Sequence, residues 1–124
     1  MARVLVAEDD ADVRSVVRRV LARLGHEVHD VDDGTAALRL LGAMRFDLVI
    51  TDVYMAALDG IELLERMQQQ GHTVPVVVMS GGGFKSRQYV LKMAEECGAA
   101  AVLEKPFTLN ELRAALDPLL RKPG

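Results

Sequence analysis

Apolar and polar positions alternate along the chain in blocks of two kinds. "RVLVA" (3–7) is short, apolar and strand-like. Val13, Val16, Val17, Val20, Leu21 and Leu24 then recur at helical spacing, and Gly25 is a natural stop. "EVHDV" (27–31) predicts a short second strand, and Ala37, Leu38, Leu41 and Met44 predict a second helix. "FDLVIT" (46–51) predicts the third strand, and Ile61, Leu64 and Met67 the third helix, which ends near Gly71. "PVVVMS" (75–80) is apolar on both faces and predicts a fourth strand. Val90, Met93, Ala94 and Cys97 form a fourth helical stripe closed by Gly98. "AAVLE" (100–104) is the weakest strand signal. Thr108 and Glu111 have capping-box spacing ahead of Leu112, Leu116, Leu119 and Leu120. Pro118 stands inside that last stripe and is expected to kink or end the helix near Asp117.

Five strand–helix repeats imply an α/β fold, a mostly parallel sheet with helices on both faces. The length of 124 residues suits one domain, 1–124, and a half-hydrophobic composition suffices for a core. The pattern lacks a repeat, a low-complexity tract or a run long enough to cross a membrane, and no leader-like segment precedes Val4. A soluble, cytoplasmic domain is expected. The formal net charge of −3 argues against direct nucleic-acid binding. Cys97, the single cysteine, excludes an internal disulfide and a thiolate metal cluster, and its place on an apolar stripe predicts a core position.

Sheets of this type bind ligands beyond the carboxyl ends of their strands. The first strand ends in Glu8, Asp9 and Asp10, the third in Asp52, the fourth in Ser80, and the fifth in Lys105-Pro106-Phe107. Acids, a hydroxyl and a lysine thus meet on one sheet edge. A lone Asp after a strand usually caps a loop, but Asp52 in step with the other groups favours a functional reading. "GGGFKS" (81–86) is not a Walker loop, because Phe84 stands where Gly must precede Lys; a flexible glycine loop is the plainer reading. His26, His29 and His72 are expected at the surface. Arg14, Arg18, Arg19 and Arg23 are expected on a solvated helix face, with a docking surface as the sharper alternative.

The pieces "VLVAEDD" (4–10), "DLVITDVYM" (47–55), "LDG" (58–60), "VVVMSG" (76–81) and "EKPF" (104–107) resemble, in order and spacing, the receiver domain of bacterial response regulators. The resemblance covers essentially the whole chain. It implies a five-stranded, flavodoxin-like parallel sheet in the order 2-1-3-4-5. It implies that Asp52 accepts a phosphoryl group from a phosphohistidine on a sensor histidine kinase or histidine phosphotransfer protein. Asp9 and Asp52 would ligate Mg²⁺ directly with the Tyr54 backbone carbonyl, and Glu8 would act beside them through water. Asp10 would then be a helix N-cap; the alternative register pairs Asp9 with Asp10. Ser80, the Gly81 amide and Lys105 would read the phosphorylated state. The chemistry is sensible in itself, since clustered carboxylates raise one another's pKa values and a hard cation relieves the conflict. The implied job is signalling to an output partner through the surface of helix four, strand five and helix five. The only catalysis would be the domain's own phosphorylation and dephosphorylation.

Two other readings remain: a pseudo-receiver that binds proteins without phosphorylation, and a small aspartyl-nucleophile phosphatase. Intact Asp9, Asp52 and Lys105 weigh against the first. Tyr54 weighs against the second, because such enzymes need an acid there. The family pattern is broken at Ala56, where Pro is usual, at the large Tyr54, and at Val102, where many receivers carry an aromatic switch. Valine is short and stiff about χ1 and cannot swing as a ring does. The switch is therefore expected to centre on residues 81–90. Hydrogen exchange with and without beryllofluoride should show changes there; changes confined to strand five and helix five would refute it.

Overall fold

The computed structural model describes residues 1–55, 57–81 and 87–120. Ten elements alternate: β1 (Arg3–Ala7), α1 (Ala11–Arg23), β2 (Glu27–Val31), α2 (Gly34–Ala43), β3 (Leu48–Asp52), α3 (Gly60–Gln69), β4 (Val76–Ser80), α4 (Arg87–Glu96), β5 (Ala101–Glu104) and α5 (Leu109–Leu120). The strands form one sheet in the order β2-β1-β3-β4-β5, and each neighbouring pair is parallel. This is the flavodoxin-like order expected from the resemblance. Among the described residues, no helix is long and apolar enough to cross a membrane.

The period-two rule splits the central strands between two cores. Leu5, Ala7, Val49, Val76 and Val78 face α2, α3 and α4, packing with Ala37, Leu41, Leu63, Leu64, Met67, Val90 and Ala94. Val4, Val6, Leu48, Ile50, Val77 and Met79 face α1 and α5, packing with Val17, Leu21, Leu112 and Leu116. Cys97 is buried in the first core, as its apolar stripe predicts. Val102 is half-buried against the same core.

The helix starts follow local chemistry. Asp10 Oδ1 accepts from the Asp12 and Val13 amides at 2.9 and 3.3 Å, making Asp10 the N-cap of α1. Asp59 and Glu62 form a capping box at α3. At α5 the Glu111 amide donates to Thr108 Oγ1 at 3.1 Å, and the Thr108 amide donates back to Glu111 Oε1 at 3.2 Å. The Lys105–Pro106 peptide bond is cis.

Several expectations are corrected. Strand β3 begins later than the run 46–51 suggests, at Leu48, and ends on Asp52 opposite Met79, which keeps Asp52 at the strand's end as expected. Helix α5 runs through Pro118 to Leu120. Pro118 removes one amide donor from the helix, but Leu119 and Leu120 beyond it still pack on the second core. The histidines are half-buried rather than superficial. His26 Nδ1 accepts from the Ala2 amide at 3.2 Å, and His29 meets Phe46 edge-on at 5.7 Å between centroids. Arg14 and Arg18 are not simply solvated, since both pair with Asp30 on β2. Ala56 and all of "GGGFKS" after Gly81 lie outside the described residues, and so does much of the expected switch region.

Gly60 opens α3 where the chain returns past the end of β3. Its amide donates to the Val53 carbonyl at 2.8 Å, and a Cβ there would overlap the Asp52 carbonyl. Gly42, in contrast, sits exposed in α2 with open space around it. Gly60→Ala should therefore lower stability by about 1–3 kcal/mol through overpacking. Gly42→Ala should raise it by about 0.5–1 kcal/mol, the helix-propensity gain. Urea unfolding of the two variants checks the contrast.

Candidate functional site

The chain leaves β1 toward one side of the sheet and β3 toward the other. Their carboxyl ends thus flank the switch-point crevice where open α/β sheets bind ligands. Glu8 follows β1, with Asp9 next to it, and Asp52 ends β3. Carboxylate oxygens of Glu8, Asp9 and Asp52 lie within 4.8 Å of one another. Glu8 is fully buried and Asp52 is 6% exposed, while Asp9 faces solvent. Asp10 does not join them, because its carboxylate is turned back to cap α1.

The cation at this cluster is Lys105, one residue beyond β5. Its ammonium donates to Glu8 Oε1 at 2.7 Å and lies 3.2 Å from Asp52 Oδ1. The Lys105 backbone is held by its own amide, which donates to the Ser80 carbonyl at 2.6 Å. Next to it, a Cβ on Gly81 would come within 2.8 Å of the Lys105 Cβ, so a glycine lets the two chain segments close up. Ser80 is buried at the end of β4. Asp52 Oδ1 also accepts from the Val53 amide at 3.0 Å. Tyr54, two residues on, is half-buried against the α2–α3–α4 core.

The electrostatics follow from burial. Desolvation pushes the Glu8 carboxyl up to about 7; the hydrogen bond from Lys105 works against this, and the nearby Asp52 works with it. Burial also disfavours the Lys105 charge, but its bond to Glu8 and the charge of Asp52 outweigh that and hold the ammonium above its ordinary value. Glu8 Oε2 is buried with no hydrogen-bond partner among the described residues. A buried orphan oxygen is costly. Three converging carboxylates, one with an orphan oxygen, suit a hard divalent cation, which takes oxygen ligands.

The structure therefore gathers Glu8, Asp9, Asp52 and Lys105, with Ser80 and Gly81 alongside on the end of β4. Sequence reasoning missed two features. It did not pair Lys105 with Glu8, since the two lie 97 positions apart. It also left Arg14 on a solvated face, although Arg14 Nη1 donates to the Glu8 carbonyl at 2.8 Å. The only signal was helical spacing, which puts Arg14 one turn beyond Asp10.

The raised Glu8 pKa has a stability consequence in metal-free protein. The folded state holds the Glu8 proton up to about pH 7, whereas the unfolded chain releases it near 4.5. The folded state thus binds more protons in this window, and stability falls as pH rises through it. Unfolding midpoints in chelator should drop between pH 5 and 8 in wild type relative to Glu8→Gln. A parallel pH profile in the variant would contradict the assignment.

Comparison with known proteins gives the family and the fold. The family model for the response regulator receiver domain matches residues 4–117. The response regulator MprA of Mycolicibacterium vanbaalenii is 37% identical over 120 residues, which are 97% of this chain and 51% of that protein. The chain thus spans about half the length of the curated relatives it matches. The Vibrio cholerae chemotaxis protein CheY4 superposes with a TM-score of 0.84 at 32% identity, covering 97% of this chain and 99% of that one. The receiver domain of NtrX from Brucella abortus gives 0.87 at 30% identity, with the same coverage. The matched residues 4–117 take in all five strands but for Arg3 at the start of β1, and the chain belongs to the response regulator receiver domain family.

Proposed function

We propose that this chain is a phospho-acceptor in a two-component or phosphorelay system, with Asp52 as the acceptor. The partners are a sensor histidine kinase or histidine phosphotransfer protein on the input side and an output protein or domain on the other. The observation that carries the reading is the half-buried Lys105 ammonium bridging the buried Glu8 and Asp52 carboxylates inside a converging set of acids.

Mg²⁺ fits the donor set: Asp9, Asp52 and the Tyr54 backbone carbonyl would hold it, with Glu8 beside them through water. When bound, it supplies positive charge against the oxygens of the transferring phosphoryl group. The chain's own residues do the rest. Asp52 Oδ1 is engaged by Lys105 and the Val53 amide. That leaves Oδ2 for attack on phosphorus. A new P–O bond forms there as the donor's P–N bond breaks, and the leaving imidazole takes a proton from water. Lys105, the Ser80 hydroxyl and the Gly81 amide then take the phosphoryl oxygens. Moving Lys105 off Glu8 toward the new group biases the adjoining surface of α4, β5 and α5, a shift between two populations.

The domain signals and is not an enzyme in the usual sense; it catalyses only its own phosphorylation and dephosphorylation. The reading involves neither direct nucleic-acid contact nor a membrane, and suits a cytoplasmic location.

Incubation with acetyl phosphate and Mg²⁺ should add the mass of one phosphoryl group to wild type and none to Asp52→Asn. Lys105→Met should still be modified, but without the wild-type amide shifts over α4. An unmodified wild type, or a modified Asp52→Asn, would sink the proposal.

A further inference from the structure

We infer that Arg14 is a positioning residue for the acid pair, acting through the peptide bond that joins Glu8 to Asp9. The inference rests on the phospho-acceptor reading above for its use of Mg²⁺, and on geometry for everything else.

Strand β1 ends at Ala7, paired with Val31, and the Glu8 amide extends the ladder by donating to the Val31 carbonyl at 3.0 Å. The Glu8 carbonyl lies past that ladder. Its partner is the Arg14 guanidinium, at 2.8 Å. The guanidinium is itself held, because Arg14 Nε donates to Asp30 Oδ2 on β2 at 3.2 Å. One planar fork therefore ties the end of β1 to the neighbouring strand, which a lysine cannot do with the same geometry. Arg14 and Asp30 side chains are 23% and 22% exposed, so water competes only in part.

The tied peptide matters because of what hangs from each side of it. Its orientation sets ψ of Glu8 and φ of Asp9. Glu8 is fixed independently by burial and by Lys105. Asp9 is exposed, and its carboxylate has no hydrogen-bond partner among the described residues. The direction of Asp9 is then set by its main chain, and the Arg14 bond holds that main chain. Partners outside the immediate ligand shell commonly change metal affinity by about ten- to a hundredfold when removed.

Arg18 provides the control. It also pairs with Asp30, at 3.4 Å, but is more exposed and belongs to the outer face of α1. Arg18→Ala removes an Asp30 ion pair and a positive charge, and leaves the Glu8 carbonyl bond in place.

The test is a Mg²⁺ titration of wild type, Arg14→Ala, Arg14→Lys and Arg18→Ala, followed by backbone amide spectra, with thermal unfolding to establish folding. Arg14→Ala should bind Mg²⁺ about tenfold or more weakly. Its metal-free spectrum should show a shifted Asp9 amide nitrogen. Arg18→Ala should stay within about twofold of wild type, as expected of an exposed pair. Should alanine unfold the protein, Arg14→Lys serves, with a several-fold loss and the same Asp9 shift. Unchanged Mg²⁺ affinity in a folded Arg14 variant would overturn the inference, and so would an equal loss in Arg18→Ala. A wild type that binds no Mg²⁺ at the acids would instead overturn the phospho-acceptor reading, and this inference with it.

Discussion

The candidate site depends on one contact, the half-buried Lys105 ammonium held between the buried Glu8 and Asp52. A fully buried carboxylate without a partner is costly, and two of them side by side are worse. Lys105 offsets much of that cost, and in doing so ties the ends of β1, β3 and β5 into one unit. Burial still wins at Glu8, whose carboxyl stays well above the ordinary range despite the ammonium. Its second oxygen is unpartnered among the described residues. The resting arrangement therefore combines a satisfied ion pair with a buried, unsatisfied oxygen. In this reading the same lysine stabilises one state and reports the other.

That contact is possible because the backbone approaches closely at two places. Gly60 lets α3 start against the Asp52 carbonyl, and Gly81 lets β4 run beside Lys105. Side chains at either position would push the strand ends apart. Both cores brace the same edge from opposite faces, since alternate residues of β1, β3 and β4 anchor different helices. Displacing the edge therefore disturbs packing on both sides, and close-packed interiors respond to such strain by discrete rearrangement rather than gradual flexing.

The outer half of the acid pair has a different support. Asp9 is in water, and its geometry is inherited from the main chain that Arg14 and Asp30 hold. The two acids thus face different physical constraints. Glu8 is governed by low dielectric and a single cation, Asp9 by backbone orientation. Such a division leaves one carboxylate in solvent while the other is integrated in the core.

Much of this was legible in the sequence. The order of strands and helices followed from apolar periodicity, because periods of 2 and 3.6 are properties of local geometry. Asp10, Thr108 and Glu111 announced helix starts by chemistry that acts within a single turn. Acids and lysine at strand ends were visible once a parallel sheet was inferred, since such a sheet brings those ends to one edge. Other features belonged to the tertiary structure. Pro118 reads locally as a stop, yet packing of Leu119 and Leu120 carries α5 past it. Phe46 and Asp47 read as part of the third strand, yet pairing with β1 begins only at Leu48. The Glu8–Lys105 bond and the Arg14–Asp30 tether join residues that no local pattern relates. The sequence by itself determined which residues could meet at the edge, because periodicity and capping act over a few residues. Only the folded chain decided which of them share a hydrogen bond and which lose their water, because burial and charge pairing depend on distances that the packed sheet alone creates.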